Sequence, residues 1–232
     1  MRKVAVAVCL IAVLFGACGN DDNPSIDTTP AAVKIDVTTK DYAFATAPTT
    51  VTVDNLATLT VKNEGTEDHE AALLKIADGK TLDDVKAALA PTAPAGPPPF
   101  VVAGGVTGTA PGTSASITQA LPAGSYAFIC FVANAAGTPH FALGMLAPLT
   151  VTGNSTTSLP LPDGENATAK EYAFDLPALK AGDTTIRLKN NGQDDHVLAV
   201  SKLADGKTEA DALAWAIKPQ GPPPMTHLGG PV

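Results

Sequence analysis

Arginine is almost missing from this chain: of 15 Lys and Arg residues, only Arg2 and Arg187 are arginine. Basic side chains are what read phosphate backbones, so their scarcity and a formal net charge of −8 exclude a nucleic-acid surface. The acidic balance suits solubility and a basic partner. Cysteine is nearly as scarce, at Cys9, Cys18 and Cys130. Three thiols build no disulfide framework, so stability has to come from a buried core. The length and the 45% hydrophobic content allow one or two such domains. No nucleophile elbow, phosphate loop or zinc-protease motif occurs, so no common hydrolytic or phosphoryl-transfer site is expected.

The N-terminus bears on the fate of the thiols. Arg2 and Lys3 precede the apolar run VAVAVCLIAVLFGA (4–17), which is too short to span a bilayer and fits the core of an export signal. Gly16 and Ala17 directly before Cys18 resemble a bacterial lipoprotein cleavage site. That resemblance implies a signal peptide over 1–17, a lipid on Cys18 and an anchor on the extracytoplasmic side of a cell-envelope membrane. Plain secretion is the alternative. Residues 18–34 are polar, with Pro and Asp, and read as a stalk. Loss of Cys9 and use of Cys18 leave Cys130 as the one free thiol in an oxidising compartment. Intermolecular pairing, reactivity or metal ligation follows.

The chain repeats itself with a period of about 127 residues. YAF (42–44) returns as YAF (172–174), and VKNEGTEDH (61–69) as LKNNGQDDH (188–196). LLKIADGKT (73–81) returns as AVSKLADGKT (199–208), and GPPPFVVAGG (96–105) as GPPPMTHLGG (221–230). The expected organisation is a first domain over 35–152, a linker over 153–164 and a partial second domain over 165–232. The first copy runs some 45 residues past its Gly-Gly, and that extra region carries Cys130, His140 and Met145. Half a sandwich leaves open edges and an uncovered apolar face, so the expectation is a longer protein of which this is part.

Within the first copy, TVTVDNLATLTVKNEG alternates as strands do, and AALLKIADG reads as a strand ending in Asp-Gly. TLDDVKAALA (81–90) predicts a helix, with Thr81 as cap, Asp84 three residues on, and Leu82, Val85 and Leu89 on one face. SASITQALPAGSYAFICF gives two strands, and ALGMLAPLTVT closes the domain. Short strands, Gly and Pro turns and one inserted helix predict an all-β Greek-key sandwich.

Alternation sets Tyr126, Phe128 and Cys130 on one face of their strand, with Cys130 at its end. FVANAAGTP then forms a loop, followed by His140 and Met145, while His69 follows a turn after an earlier strand. One Cys, two His and a distant Met form the donor set of a blue-copper centre. Thiolate and thioether suit Cu(I), and imidazole serves both oxidation states. The thiol has to lose its proton, so binding weakens as pH falls.

Residues 35–152 resemble a cupredoxin, in particular the bacterial plastocyanin/azurin-like lipoproteins, through NEGTEDH (63–69), LPAGSY (121–126) before CF (130–131), and GTPHFALGM (137–145). The resemblance implies an eight-stranded Greek-key barrel holding one copper on His69, Cys130, His140 and Met145, with Tyr126 as a tyrosine corner. It implies electron transfer or copper handling, with a redox or copper-exchanging partner protein. A metal-free envelope module on the same fold is the alternative. Nine residues separate Cys130 from His140, which makes for an entropically looser loop. Taken singly, Cys130, His69 and Met145 read as a small buried hydrophobe, a solvated loop residue and core packing. His196 repeats His69 without its partners, and Met225 and His227 read as local variation. An enzyme is not expected: oxidases with catalytic copper need further His clusters, and only four His occur.

Overall fold

The computed structural model describes residues 32–93, 95–153, 160–179, 182, 184–218 and 220–232. The expected export signal and Cys18 lie outside the described residues. Strands β1 (Val33–Lys40), β2 (Ala43–Thr46), β3 (Thr50–Thr52), β4 (Leu56–Asn63), β5 (His69–Ile76), β6 (Phe100–Thr109), β7 (Ser114–Ala120), β8 (Gly124–Ile129) and β9 (Leu146–Thr152) make up the first repeat, with helix α1 (Leu82–Leu89) between β5 and β6. β1 begins at Val33, two residues before the expected boundary. One sheet runs β2-β1-β4-β7 and the other contains β6-β5-β8-β9-β3. This is the expected all-β sandwich.

Nine strands stand where the resemblance implied eight, and the reason is local. Segment 43–52 pairs with β1 as β2, then crosses to the other sheet and pairs with β9 as β3. Pro48 falls between the two halves; without an N–H it cannot continue a ladder.

The core lies between the sheets. Ile35, Val37, Leu59 and Val61 from one meet Leu73, Tyr126, Phe128 and Leu149 from the other. A second cluster on the outer face joins Leu74, Ile76, Ala127 and Ile129 to Val85 of α1. Strands β5 and β8 are therefore covered on both faces, which accounts for their unbroken apolar runs. Tyr126 donates its hydroxyl to the Pro122 carbonyl at 2.7 Å, as a tyrosine corner does. Helix α1 carries the predicted capping box between Thr81 and Asp84.

The second repeat supplies β10 (Glu165–Lys170), β11 (Ala173–Asp175), β12 (Ile186–Asn190), β13 (Val200–Leu203), α2 (Glu209–Ile217) and β14 (Met225–Gly229). Its sheet β11-β10-β12 reproduces β2-β1-β4, including the parallel pairing of β10 with β12. The hairpin β13–β14 reproduces β5–β6 in register: Leu203 faces Met225 as Ile76 faces Phe100. β14 then pairs antiparallel with β6, so equivalent strands of the two repeats lie side by side in one sheet. Leu213 and Ile217 of α2 are exposed, whereas α1 packs on β5 and β8. No helix among the described residues is long and apolar enough to cross a membrane.

Candidate metal centre

β1 and β4 run parallel, and β5 returns antiparallel to β8. The turn after β1, the loop before β5 and the end of β8 consequently open at one end of the sandwich. His69 begins β5, and Cys130 directly follows β8. The loop that separates Cys130 from His140 is closed rather than slack. Ala133 bridges to Pro139, and the Asn134 side-chain oxygen accepts from the N–H groups of Ala136 and Thr138, both at 3.0 Å. His140 donates its N–H to Val132 O at 2.8 Å, and Phe141 to Cys130 O at 2.9 Å. A short 3-10 turn, His140–Leu143, then leads back to β9. The entropic cost of nine intervening residues is offset by local hydrogen bonds that composition alone did not reveal.

The loop brings three of the four predicted ligands together. One donor atom each from His69, Cys130 and His140 lies within 4.8 Å of the others, and all three side chains are fully buried. His69 Nδ1 stands 3.1 Å from His140 Nδ1, which is 3.5 Å from Cys130 Sγ. Met145 is buried beside them; its N–H donates to His140 O at 3.0 Å and its carbonyl accepts from Cys130 N–H at 3.2 Å.

Each imidazole is oriented from behind by a carboxylate. His69 Nε2 lies 3.0 Å from Asp41 Oδ1, and His140 Nε2 lies 2.8 Å from Glu67 Oε2. A carboxylate only accepts, so this pattern assigns the proton of each neutral ring to Nε2 and leaves both Nδ1 atoms as acceptors, with the Cys130 thiol 3.5 Å from that of His140. Two acceptor nitrogens facing one another at 3.1 Å repel unless a cation stands between them. Burial depresses the pKa of His69, which disfavours a proton in that role. The donor set therefore fits a metal ion.

Asp41 is pinned in turn. Thr66 donates its hydroxyl at 2.7 Å and its N–H at 2.9 Å, and Glu67 donates its N–H at 3.3 Å. These bonds, the Thr66 hydroxyl first, hold its carboxyl well below the usual range. Tyr42 completes the cover, with its ring edge-on to His140 at 5.0 Å and its hydroxyl donating to Glu67 at 3.3 Å. Asn63 ties the loop by donating to Glu67 O at 2.8 Å and Thr109 O at 2.7 Å. Burial pushes the Cys130 thiol up to about 12, although the Glu70 N–H donates to its sulfur at 3.5 Å.

Sequence reasoning missed Asp41, Tyr42, Asn63 and Glu67. The signal was present, because KDYAF and NEGTEDH recur as KEYAF and NNGQDDH. In the second repeat Asn190 again binds the Asp194 carbonyl, at 2.7 Å, and Gln193 N–H reaches Glu171. His196 thus shares the loop of His69, but its buried Nε2 has no hydrogen-bond partner and no cysteine joins it among the described residues. His227, read as local variation, bonds Ser201 Oγ at 2.8 Å and approaches Asp68 at 3.7 Å, across the joint between the repeats.

No protein-family model matches the chain, and no curated protein is significantly similar to it. Among solved structures, a dithionite-reduced auracyanin from the photosynthetic bacterium Roseiflexus castenholzii is 25% identical and covers 53% of this chain and 99% of its own, with a TM-score of 0.34. Auracyanin A, a "blue" copper protein from Chloroflexus aurantiacus, is 24% identical over 53% of this chain and all of its own, with a TM-score of 0.36. A multicopper oxidase is 15% identical over 75% of this chain and 67% of its own, with a TM-score of 0.29. TM-scores of this size leave the chemistry to the donor set itself. The strand pairing itself makes the fold an all-β sandwich.

Proposed function

We propose that the first repeat holds one copper ion on His69 Nδ1, His140 Nδ1 and Cys130 Sγ, with Met145 as the fourth ligand, and serves one-electron transfer at the cell envelope. The observation that carries this reading is the convergence of two imidazoles and a thiol within 4.8 Å. When bound, copper supplies exchange of a single electron between Cu(II) and Cu(I). The chain's own residues do the rest. Asp41 and Glu67 fix the tautomers, Tyr42 and the loop 131–139 keep water out, and the backbone tie between Cys130 and Met145 holds the sulfur-bearing residues in place.

Electron transfer is favoured over copper delivery because all three donor side chains are fully buried and their supports hydrogen-bonded, which opposes metal exchange. The protein is then not an enzyme but a carrier, anchored through a lipid on Cys18 and visited by a redox partner. Titration of the reduced, metal-free chain with Cu(II) tests the reading. An intense visible thiolate-to-copper band, absent in Cys130→Ala, is expected. A colourless protein with an unreactive thiol would leave the metal-free envelope module instead.

A further inference from the structure

The two carboxylates behind the imidazoles do more than choose a tautomer. Asp41 and Glu67 are about one-third exposed, yet each lies at hydrogen-bond distance from a fully buried ring. No cation offsets them within the described residues: Lys40 and Lys62 pair with Glu64 instead. The Nε2–H of each ring links a carboxylate to the Nδ1 donor on its far side, so the negative charge acts on whatever that donor binds. The second repeat repeats the charge while exchanging the side chains, with Glu171 for Asp41 and Asp194 for Glu67. What the two copies share at these positions is an anion rather than a particular length.

We infer that Asp41 and Glu67 are positioning residues that set the valence preference of the centre, biasing it toward the doubly charged copper ion over the singly charged one. This rests on the copper reading above. With the thiolate they place three formal negative charges around the site, and an anion stabilises Cu(II) more than Cu(I). Each carboxylate is expected to shift the ratio of Cu(II) to Cu(I) affinity by about tenfold, which is about 59 mV for one electron. The centre is consequently a weak oxidant, suited to a partner that accepts electrons at low potential.

The test uses the full chain with Asp41→Asn, Glu67→Gln and Asp41→Ala. The amides keep an oxygen acceptor for Nε2–H and remove the charge, while each sets a donating NH2 where the other carboxylate oxygen accepted from Thr66 or Tyr42. Spectroelectrochemistry should then show a higher midpoint potential in each, with the visible band retained. Asp68→Asn removes a neighbouring charge that faces His227, not a ligand of the centre, and should move the potential far less. Proton–nitrogen correlation of the metal-free protein should show Nε2–H on His69 and His140 in the wild type and both amide variants. Asp41→Ala should lose that tautomer at His69. Copper bound with an unmoved potential in both amide variants, or moved equally by Asp68→Asn, overturns the inference and leaves the copper reading intact. No copper bound by the wild type overturns both.

Discussion

His69 and His140 face one another through Nδ1 atoms 3.1 Å apart, each with its Nε2 on a carboxylate. Neutral rings in those tautomers repel across the gap, so the metal-free site stores unfavourable electrostatics that a bound cation removes. Copper should stabilise the fold accordingly. At a free concentration about 100 times the dissociation constant, the gain is about 2.7 kcal/mol. Thermal unfolding with and without copper should show the rise, its reversal by chelator, and its absence in His140→Ala.

Gly65 lies where the carboxylate meets the imidazole. A Cβ built there would collide with Asp41 Oδ1 and stand 2.7 Å from His69 Nε2. Gly65→Ala therefore displaces the pair, and copper affinity should fall by about 10–100-fold, as when other outer partners of a ligand are lost. Gly192→Ala meets the same crowding at Glu171 and His196, at 2.5 and 2.6 Å, but in the repeat that holds no cysteine among the described residues. Competition titration should show the first variant weakened and the second unchanged.

The sandwich, α1 with its cap and the cluster candidates His69, Cys130 and His140 were legible because each depends on local pattern: alternation, a Thr-x-x-Asp box, a turn before an imidazole. What stayed hidden depends on contacts distant along the chain. β6 was not assigned, since its strand bends at Gly104 and Gly105, both at positive φ, and its register slips against β5. Asp41 reads as an ordinary turn acid until β1 is laid parallel to β4, which puts it over Thr66. The closed loop after Cys130 hinges on one asparagine whose neighbours, Ala135 and Ala136, look featureless. The approach of His227 to Asp68 stayed hidden for the same reason, because Asp68 belongs to the other repeat.

The two helix caps make acid sensitivity testable. Asp84 accepts the Thr81 hydroxyl and N–H, both at 2.8 Å, and Asp211 accepts the same groups of Thr208 at 2.7 and 2.8 Å. These bonds, the hydroxyl first in each case, hold both carboxyls below their usual value. A depressed folded-state pKa means the stabilisation is present above the unfolded value, about 4, and is lost as pH falls through the folded one. Asp84→Asn and Asp211→Asn should lower the thermal midpoint at neutral pH. The difference from wild type should vanish well below pH 4 in a series of melts.

Asn134 should be the costliest polar residue of the loop to truncate. Its side-chain oxygen takes two N–H groups, from Ala136 and Thr138, while its carbonyl independently takes Gly137 N–H at 2.8 Å. Asn134→Ala removes the first two bonds and spares the third. The loss is about 1–2 kcal/mol, since loop amides can turn partly to water. Asn134→Asp keeps the acceptor and should restore most of it, which separates the hydrogen bonds from mere side-chain volume. Because His140 donates to Val132 within this loop, the alanine variant should also bind copper more weakly while retaining its visible band. Melts of the metal-free chain and copper competition on all three proteins check this. A midpoint equal in Asn134→Ala and wild type would mean that the backbone ties at Val132 and Cys130 hold the loop alone.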